Sequence, residues 1–64
     1  MNMCEAAAYL LKDGKEELLL ESVDLLESDG TQIKMINIFG EQKEVKAKIK
    51  ALLLVDHKIV LEPM

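Results

Sequence analysis

Two Asp-Gly pairs, Asp13-Gly14 and Asp29-Gly30, separate apolar segments in the first half of this 64-residue chain. Aspartate and glycine tolerate the positive φ angles that tight hairpin turns require, so each pair predicts a reversal between two strands. Turn signals that recur at short intervals are typical of small all-β proteins. The two pairs therefore favour a fold built from short strands.

The remaining segments also have the patterns of strands. Residues 42–50 carry apolar side chains two apart from Val45 onward, which is the signature of a half-buried strand. Residues 31–38 are rich in isoleucine and fit a strand buried on both faces, and Phe39-Gly40-Glu41 ends this run. The apolar run 51–55 precedes a short connection and a closing strand that begins at Ile59.

Residues 15–28 fit two interpretations. Leu19, Val23 and Leu26 recur at helical spacing, and the glutamates of the segment favour a helix by propensity. Strands fit equally well, and they agree with the rest of the chain, where every other segment has a strand pattern. We therefore predict two short strands, at residues 18–20 and 23–26.

The fold class expected is all-β, a small barrel or sandwich of short antiparallel strands in one domain over residues 1–64. The burial of apolar surface contributes about 25 cal/mol per Å². In so short a chain this barely offsets the conformational entropy that is lost on folding, about 1.5 kcal/mol for each ordered residue. A single cysteine cannot form an internal disulfide. We therefore expect a homodimer, in which the second copy supplies the missing burial.

Charge and composition exclude several functions. Twelve acidic residues against eight lysines give a net charge of -4, which repels phosphate backbones, and the chain has no arginine or tryptophan. Nucleic-acid binding is therefore disfavoured, and the stripe Lys46, Lys48, Lys50 is expected to be a solvated face. One histidine, one cysteine and no glycine-rich phosphate loop leave too few groups for catalysis, so we expect no enzyme.

The sequence shows neither a signal-peptide pattern nor the ~20 consecutive apolar residues of a membrane span. An unpaired thiol fits a reducing compartment, because disulfides form and persist in oxidising ones. The expected location is the cytoplasm, without a membrane partner.

Cys4 is the best candidate for a functional residue. It follows Met3 near the amino end, where a soft thiolate and adjoining backbone nitrogens can chelate one ion in the square-planar geometry of nickel(II) or copper(II). The alternative is a small buried cysteine with no function. His57 is a second candidate ligand, but it lies in a predicted turn and nothing in the sequence places it near Cys4.

Four segments together resemble the CooT family of small nickel-binding proteins: residues 3–10, the Asp13-Gly14 turn, residues 36–41 and residues 55–59. The resemblance implies an all-β homodimer whose Met-Cys start, here Met3 and Cys4, binds nickel(II). The resemblance also implies a role that some members have, which is to assist the maturation of carbon monoxide dehydrogenase. Members of unknown role have carried a predicted RNA-binding label. An RNA-binding module, or a structural dimer or adaptor with an inert cysteine, is therefore the alternative.

The chain departs from the family pattern because Met1 and Asn2 precede the Met-Cys pair. If the cellular protein begins at Met3, the terminal amine joins the backbone nitrogen and sulfur of Cys4 in one chelating unit. If residues 1 and 2 are retained, the amide nitrogens of residues 2–4 complete the set instead. Each amide must then lose its proton, and the affinity for nickel should depend strongly on pH.

Overall fold

The structure is a computed structural model and describes residues 6–64. Within these residues the chain forms five strands that close into a barrel in chain order. This arrangement confirms the all-β prediction and the predicted class of small barrel or sandwich. The strands are β1 (Ala6–Lys12), β2 (Lys15–Asp29), β3 (Gln32–Asn37), β4 (Gln42–Leu53) and β5 (Lys58–Pro63).

Both predicted Asp-Gly turns are present. Asp13 and Gly14 link β1 to β2. Their φ angles of 52° and 79° are both left-handed, as a two-residue hairpin turn of this kind requires. In the second turn Asp29 still belongs to β2, and Gly30 has a φ of 65°. The local chemistry of these pairs therefore sets the two reversals as expected.

The segment 15–28 lies within one continuous strand, β2, so the preference for strand over helix is confirmed and the prediction of two short strands is wrong. The strand bends at Ser22, which has a φ of 53°, and its pairing shifts register on both sides of that point. Up to Val23 it pairs with β1, and from Val23 onward with β3. The bulge breaks the side-chain alternation, which is why the sequence pattern looked discontinuous.

The barrel closes through a parallel pair, which the sequence did not predict. β1 runs parallel to β5 from the pair Ala7 and Lys58 to the pair Leu10 and Leu61. The other four ladders are antiparallel, as expected. A parallel pair needs a long connection, and here the intervening strands β2, β3 and β4 supply it.

The core lies on the inward faces of all five strands. On β3, Ile33 and Met35 are fully buried and Ile36 is only half-buried, while Ile38, which follows the strand, is exposed. The prediction that both faces of this segment are buried is therefore wrong, because the outer face has no covering layer within the described residues. The buried apolar cluster consists of Ala8, Leu20, Val23, Ile33, Met35, Ala47 and Leu61.

A polar contact on the outer surface links three strands. Lys58 of β5 forms an ion pair with Glu16 of β2, and its Nζ lies 5.0 Å from the centroid of the Tyr9 ring on β1. The hydrogen bond to the Glu16 carboxylate raises the pKa of Lys58 above its ordinary value of 10.5. While Glu16 is ionised, the pair stabilises the fold below pH 10.5, and the contribution is lost as the pH rises through the raised pKa.

Replacing Glu16 by glutamine is expected to return the Lys58 pKa towards 10.5, because the charged acceptor is removed. NMR titration of the lysine side chains measures this directly. Lys48 is the internal control, since its Nζ lies 4.0 Å from a Glu62 oxygen and does not contact Glu16. An unchanged Lys58 titration in Glu16→Gln would show that the ion pair does not form in solution.

Candidate functional site

The residues predicted to bind metal, Met3 and Cys4, lie outside the described part of the structure. The described chain starts with Ala6, the first residue of β1, which only Glu5 separates from Cys4. The geometry around the start of β1 therefore defines the surface at which the amino-terminal segment joins the barrel.

Two turns flank the start of β1. On one side the amide of Ala7 donates to the carbonyl oxygen of His57 at 2.9 Å, which places the turn of residues 54–57 beside it. On the other side Ala6 pairs with Val23 of β2. Beyond β2, the amide of Ile38 donates to the Ser22 carbonyl at 3.0 Å, which attaches the turn of residues 38–41. We call these the 54–57 turn and the 38–41 turn.

The 54–57 turn presents apolar side chains to solvent. Leu54 is 79% exposed and Val55 is 93% exposed, although neither is at a chain end. The amide of His57 donates to the Leu54 carbonyl at 3.2 Å and closes the turn. We call the exposed residues Leu52, Leu53, Leu54 and Val55 the Leu54 surface.

His57 lies in a turn and is exposed, as the sequence analysis expected. Its φ of 54° is the left-handed conformation that histidine tolerates better than most residues. The structure also brings its backbone against Ala7, a proximity that nothing in the sequence indicated. The proximity of His57 to Ala7 follows from the parallel pairing of β1 and β5, which closes the barrel. A role for His57 as a metal ligand stays a prediction.

The 38–41 turn is held by one buried polar side chain, that of Asn37, which is 3% exposed. Its Oδ1 accepts hydrogen bonds from the amides of Phe39 at 3.0 Å and Glu41 at 2.8 Å. Its Nδ2 donates to Glu41 Oε1 at 2.7 Å. The amide of Gly40 also donates to the Asn37 carbonyl at 3.0 Å. These hydrogen bonds hold the turn, in which Phe39 is 73% exposed and Ile38 is 48% exposed.

The role of Asn37 was not predicted from the sequence, in which Phe39-Gly40-Glu41 was interpreted only as the end of a strand. A usable signal was present, because an asparagine just before a glycine-containing turn commonly hydrogen-bonds the backbone two residues on. Gly40 has a φ of 85°, which explains why glycine stands there.

The lysine stripe on β4 is exposed, as predicted for a solvated face. Lys48 lies 4.0 Å from Glu62, and Glu44 is exposed on the same strand, so acidic groups offset part of the positive charge. The stripe therefore offers little support for phosphate binding.

Residues 6–64 contain no group of three or more His, Cys, Asp and Glu side chains placed to hold a metal ion. The same residues include no helix with the length and apolar character needed to cross a membrane.

A model of the CooT family, described as the CO dehydrogenase accessory protein CooT, matches residues 3–62. The chain belongs to the CooT family. The match begins at Met3 and includes Cys4 and both flanking turns. CooT proteins are accessory proteins rather than enzymes, which confirms the prediction that this chain is not an enzyme.

Two similar proteins align with this chain along nearly their whole length. The crystal structure of a candidate CooT from Carboxydothermus hydrogenoformans is 51% identical, with a TM-score of 0.88 over 95% of this chain and 98% of that chain. An uncharacterised protein of Methanocaldococcus jannaschii is 33% identical over 60 residues, which are 94% of this chain and 98% of the relative. The CooT chain described here therefore shares its fold with the Carboxydothermus structure and aligns with nearly the full length of both relatives.

Proposed function

We propose that this protein binds nickel(II) through Cys4 and stores or delivers the ion for the maturation of carbon monoxide dehydrogenase. The observation that carries the proposal is the match to a family of CO dehydrogenase accessory proteins, which starts at the Met3-Cys4 pair. Cys4 is the only cysteine of the chain, and a thiolate is the soft ligand that a thiophilic ion needs.

The proposed site combines the Cys4 thiolate with main-chain nitrogen of Met3 and Cys4. Two peptide units join Cys4 to Ala6, so chain geometry keeps their Cα atoms within about 7.6 Å of each other. A nickel ion bound there would therefore lie within a few residues of the start of β1. The Met3 contribution is its backbone, because the thioether is a weaker ligand than a deprotonated nitrogen for a square-planar ion.

We further propose that the protein is a cytoplasmic homodimer in which the second copy covers the Leu54 surface. Four consecutive apolar residues face solvent there, beside the strand that follows Cys4. A chain of this size gains much of its stability from such additional burial. A two-fold axis at this surface would bring the two amino ends to the same side of the dimer. The lone thiol supports a reducing compartment.

Native mass measurement of metal-depleted protein titrated with nickel(II) tests the site and the dimer together. We expect the mass of two chains and uptake of nickel, accompanied by a thiolate-to-nickel charge-transfer absorption. Uptake should weaken as the pH falls, because the thiolate and the participating nitrogen must lose protons to bind. A protein that takes up no nickel at neutral pH would reject the proposed function, and a mass of one chain would reject the dimer.

A further inference from the structure

We infer that the 38–41 turn is a docking site for carbon monoxide dehydrogenase, and that Ile38 and Phe39 enter an apolar pocket of that enzyme with basic side chains at its rim. The inference rests on the proposed function and identifies the surface that binds the client enzyme. It depends on the geometry of the turn, its exposed area, its charge and its position relative to β1.

The first observation is the hydrogen bonding of the turn. Asn37 Oδ1 accepts from the backbone amides of Phe39 and Glu41, and Asn37 Nδ2 donates to the Glu41 carboxylate. Ordering a loop on binding costs free energy, and a loop that is already ordered avoids most of that cost. The turn therefore holds two apolar side chains in water in a conformation ready for a partner. Phe39 adds nothing to the buried core cluster.

The second observation is the size of the exposed area. An aromatic side chain presents 150–250 Å² when fully accessible, so Phe39 and Ile38 together expose on the order of 200 Å². A stable interface needs about 800 Å² from each partner. The turn alone supplies only about a quarter of that area, which is less than a permanent dimer needs. An aromatic anchor of this size suits a transient contact with another protein.

The third observation is the charge around the turn. Glu41 lies in the turn, and Glu21 and Asp24 are exposed on either side of Ser22, whose carbonyl binds the Ile38 amide. The ammonium group of Lys43 offsets these carboxylates only in part. A partner pocket that is complementary to this surface carries basic residues around an apolar centre, and opposite charge accelerates the encounter.

The fourth observation is the position of the turn. Val23 pairs with Ala6 on one side and with Asn37 on the other, so the turn lies two strand spacings, about 10 Å, from the start of β1. An enzyme docked on Phe39 would therefore lie close to the start of β1, and the proposed nickel ligand Cys4 is only two residues from that start in the sequence.

The test uses purified, metal-depleted carbon monoxide dehydrogenase from the same organism and the full-length protein, with affinity measured by biolayer interferometry. Phe39→Ala is expected to weaken binding at least ten-fold, as is typical when an aromatic anchor is truncated. Met64→Ala is the matched control, because Met64 is 61% exposed and remote in sequence from the turn. Its affinity should stay within two-fold of the wild-type value. Binding by the wild type should weaken with added salt.

The inference is overturned if the wild type does not bind the enzyme, or if Phe39→Ala binds as well as Met64→Ala. It is also overturned if Phe39→Ala dissociates the homodimer, since the second copy would then be the occupant of the turn. Nickel uptake by Phe39→Ala should equal that of the wild type. If neither protein takes up nickel while Phe39→Ala still loses docking, the proposed function fails and the docking surface stands.

Discussion

Replacing Cys4 by serine is expected to lower the affinity for nickel(II) by more than 100-fold. A serine hydroxyl keeps its proton near neutral pH and offers a hard, neutral oxygen in place of a soft thiolate. Removing a residue that only hydrogen-bonds to a metal ligand lowers metal affinity by about 10–100-fold. Removing a direct ligand should therefore lower it further. Isothermal titration calorimetry measures the affinity. The charge-transfer absorption reports the sulfur–nickel bond and should disappear in the variant.

The matched control for this variant is His57→Asn. Asparagine also tolerates the left-handed φ of position 57, so the turn is kept while the imidazole is removed. We expect nickel affinity within three-fold of the wild type, because main-chain nitrogen completes the proposed site. A large loss in His57→Asn would make His57 a ligand. Normal binding by Cys4→Ser would instead assign Cys4 a purely structural role.

Replacing Asn37 by alanine is expected to lower the free energy of unfolding by about 1–3 kcal/mol, since it removes part-buried hydrogen bonds that each contribute about 0.5–1.5 kcal/mol. The change removes three hydrogen bonds that hold the 38–41 turn. Urea denaturation followed by circular dichroism measures the loss. The protein concentration must be the same for all variants, because a dimer gains stability with concentration.

Asn37→Asp provides the matched comparison. Aspartate keeps an acceptor for the amides of Phe39 and Glu41 but loses the donor to the Glu41 carboxylate. We therefore expect an intermediate loss that becomes smaller at low pH, where protonation relieves the repulsion between the two carboxylates. A loss below 0.5 kcal/mol in Asn37→Ala would show that water replaces the side chain and that the turn is not rigid.

Features of the fold that depend on neighbouring residues could be predicted from the sequence, and those that depend on distant pairing could not. Asp13-Gly14 contains the turn chemistry within itself, so its reversal was predictable. The bend at Ser22 has no such signature, because serine is not selected for a positive φ and the bulge is fixed by the two strands that pair on either side. The parallel closure of β1 on β5 joins segments about fifty residues apart, and no local pattern encodes it.

The same distinction applies to the candidate site. Cys4 could be proposed as a ligand from the sequence because thiolate chemistry is a property of the residue and its immediate backbone, and this proposal stays a prediction. His57 comes to lie beside Ala7 only when the barrel closes. The same closure places the 38–41 turn beyond β2, the strand that pairs with the start of β1. Phe39 was interpreted as a strand end because its exposure depends on the Asn37 network.

The parallel ladder between β1 and β5 also determines when the protein can finish folding during its synthesis. Among the five strands, β1 leaves the ribosome first and β5 last. Until β5 emerges, the nascent chain has no partner for that edge of β1, and Ala8 lacks the cover that Leu61 helps to provide. Contacts of such long sequence separation form slowly, so the growing polypeptide stays open and prone to aggregation until its final strand is available.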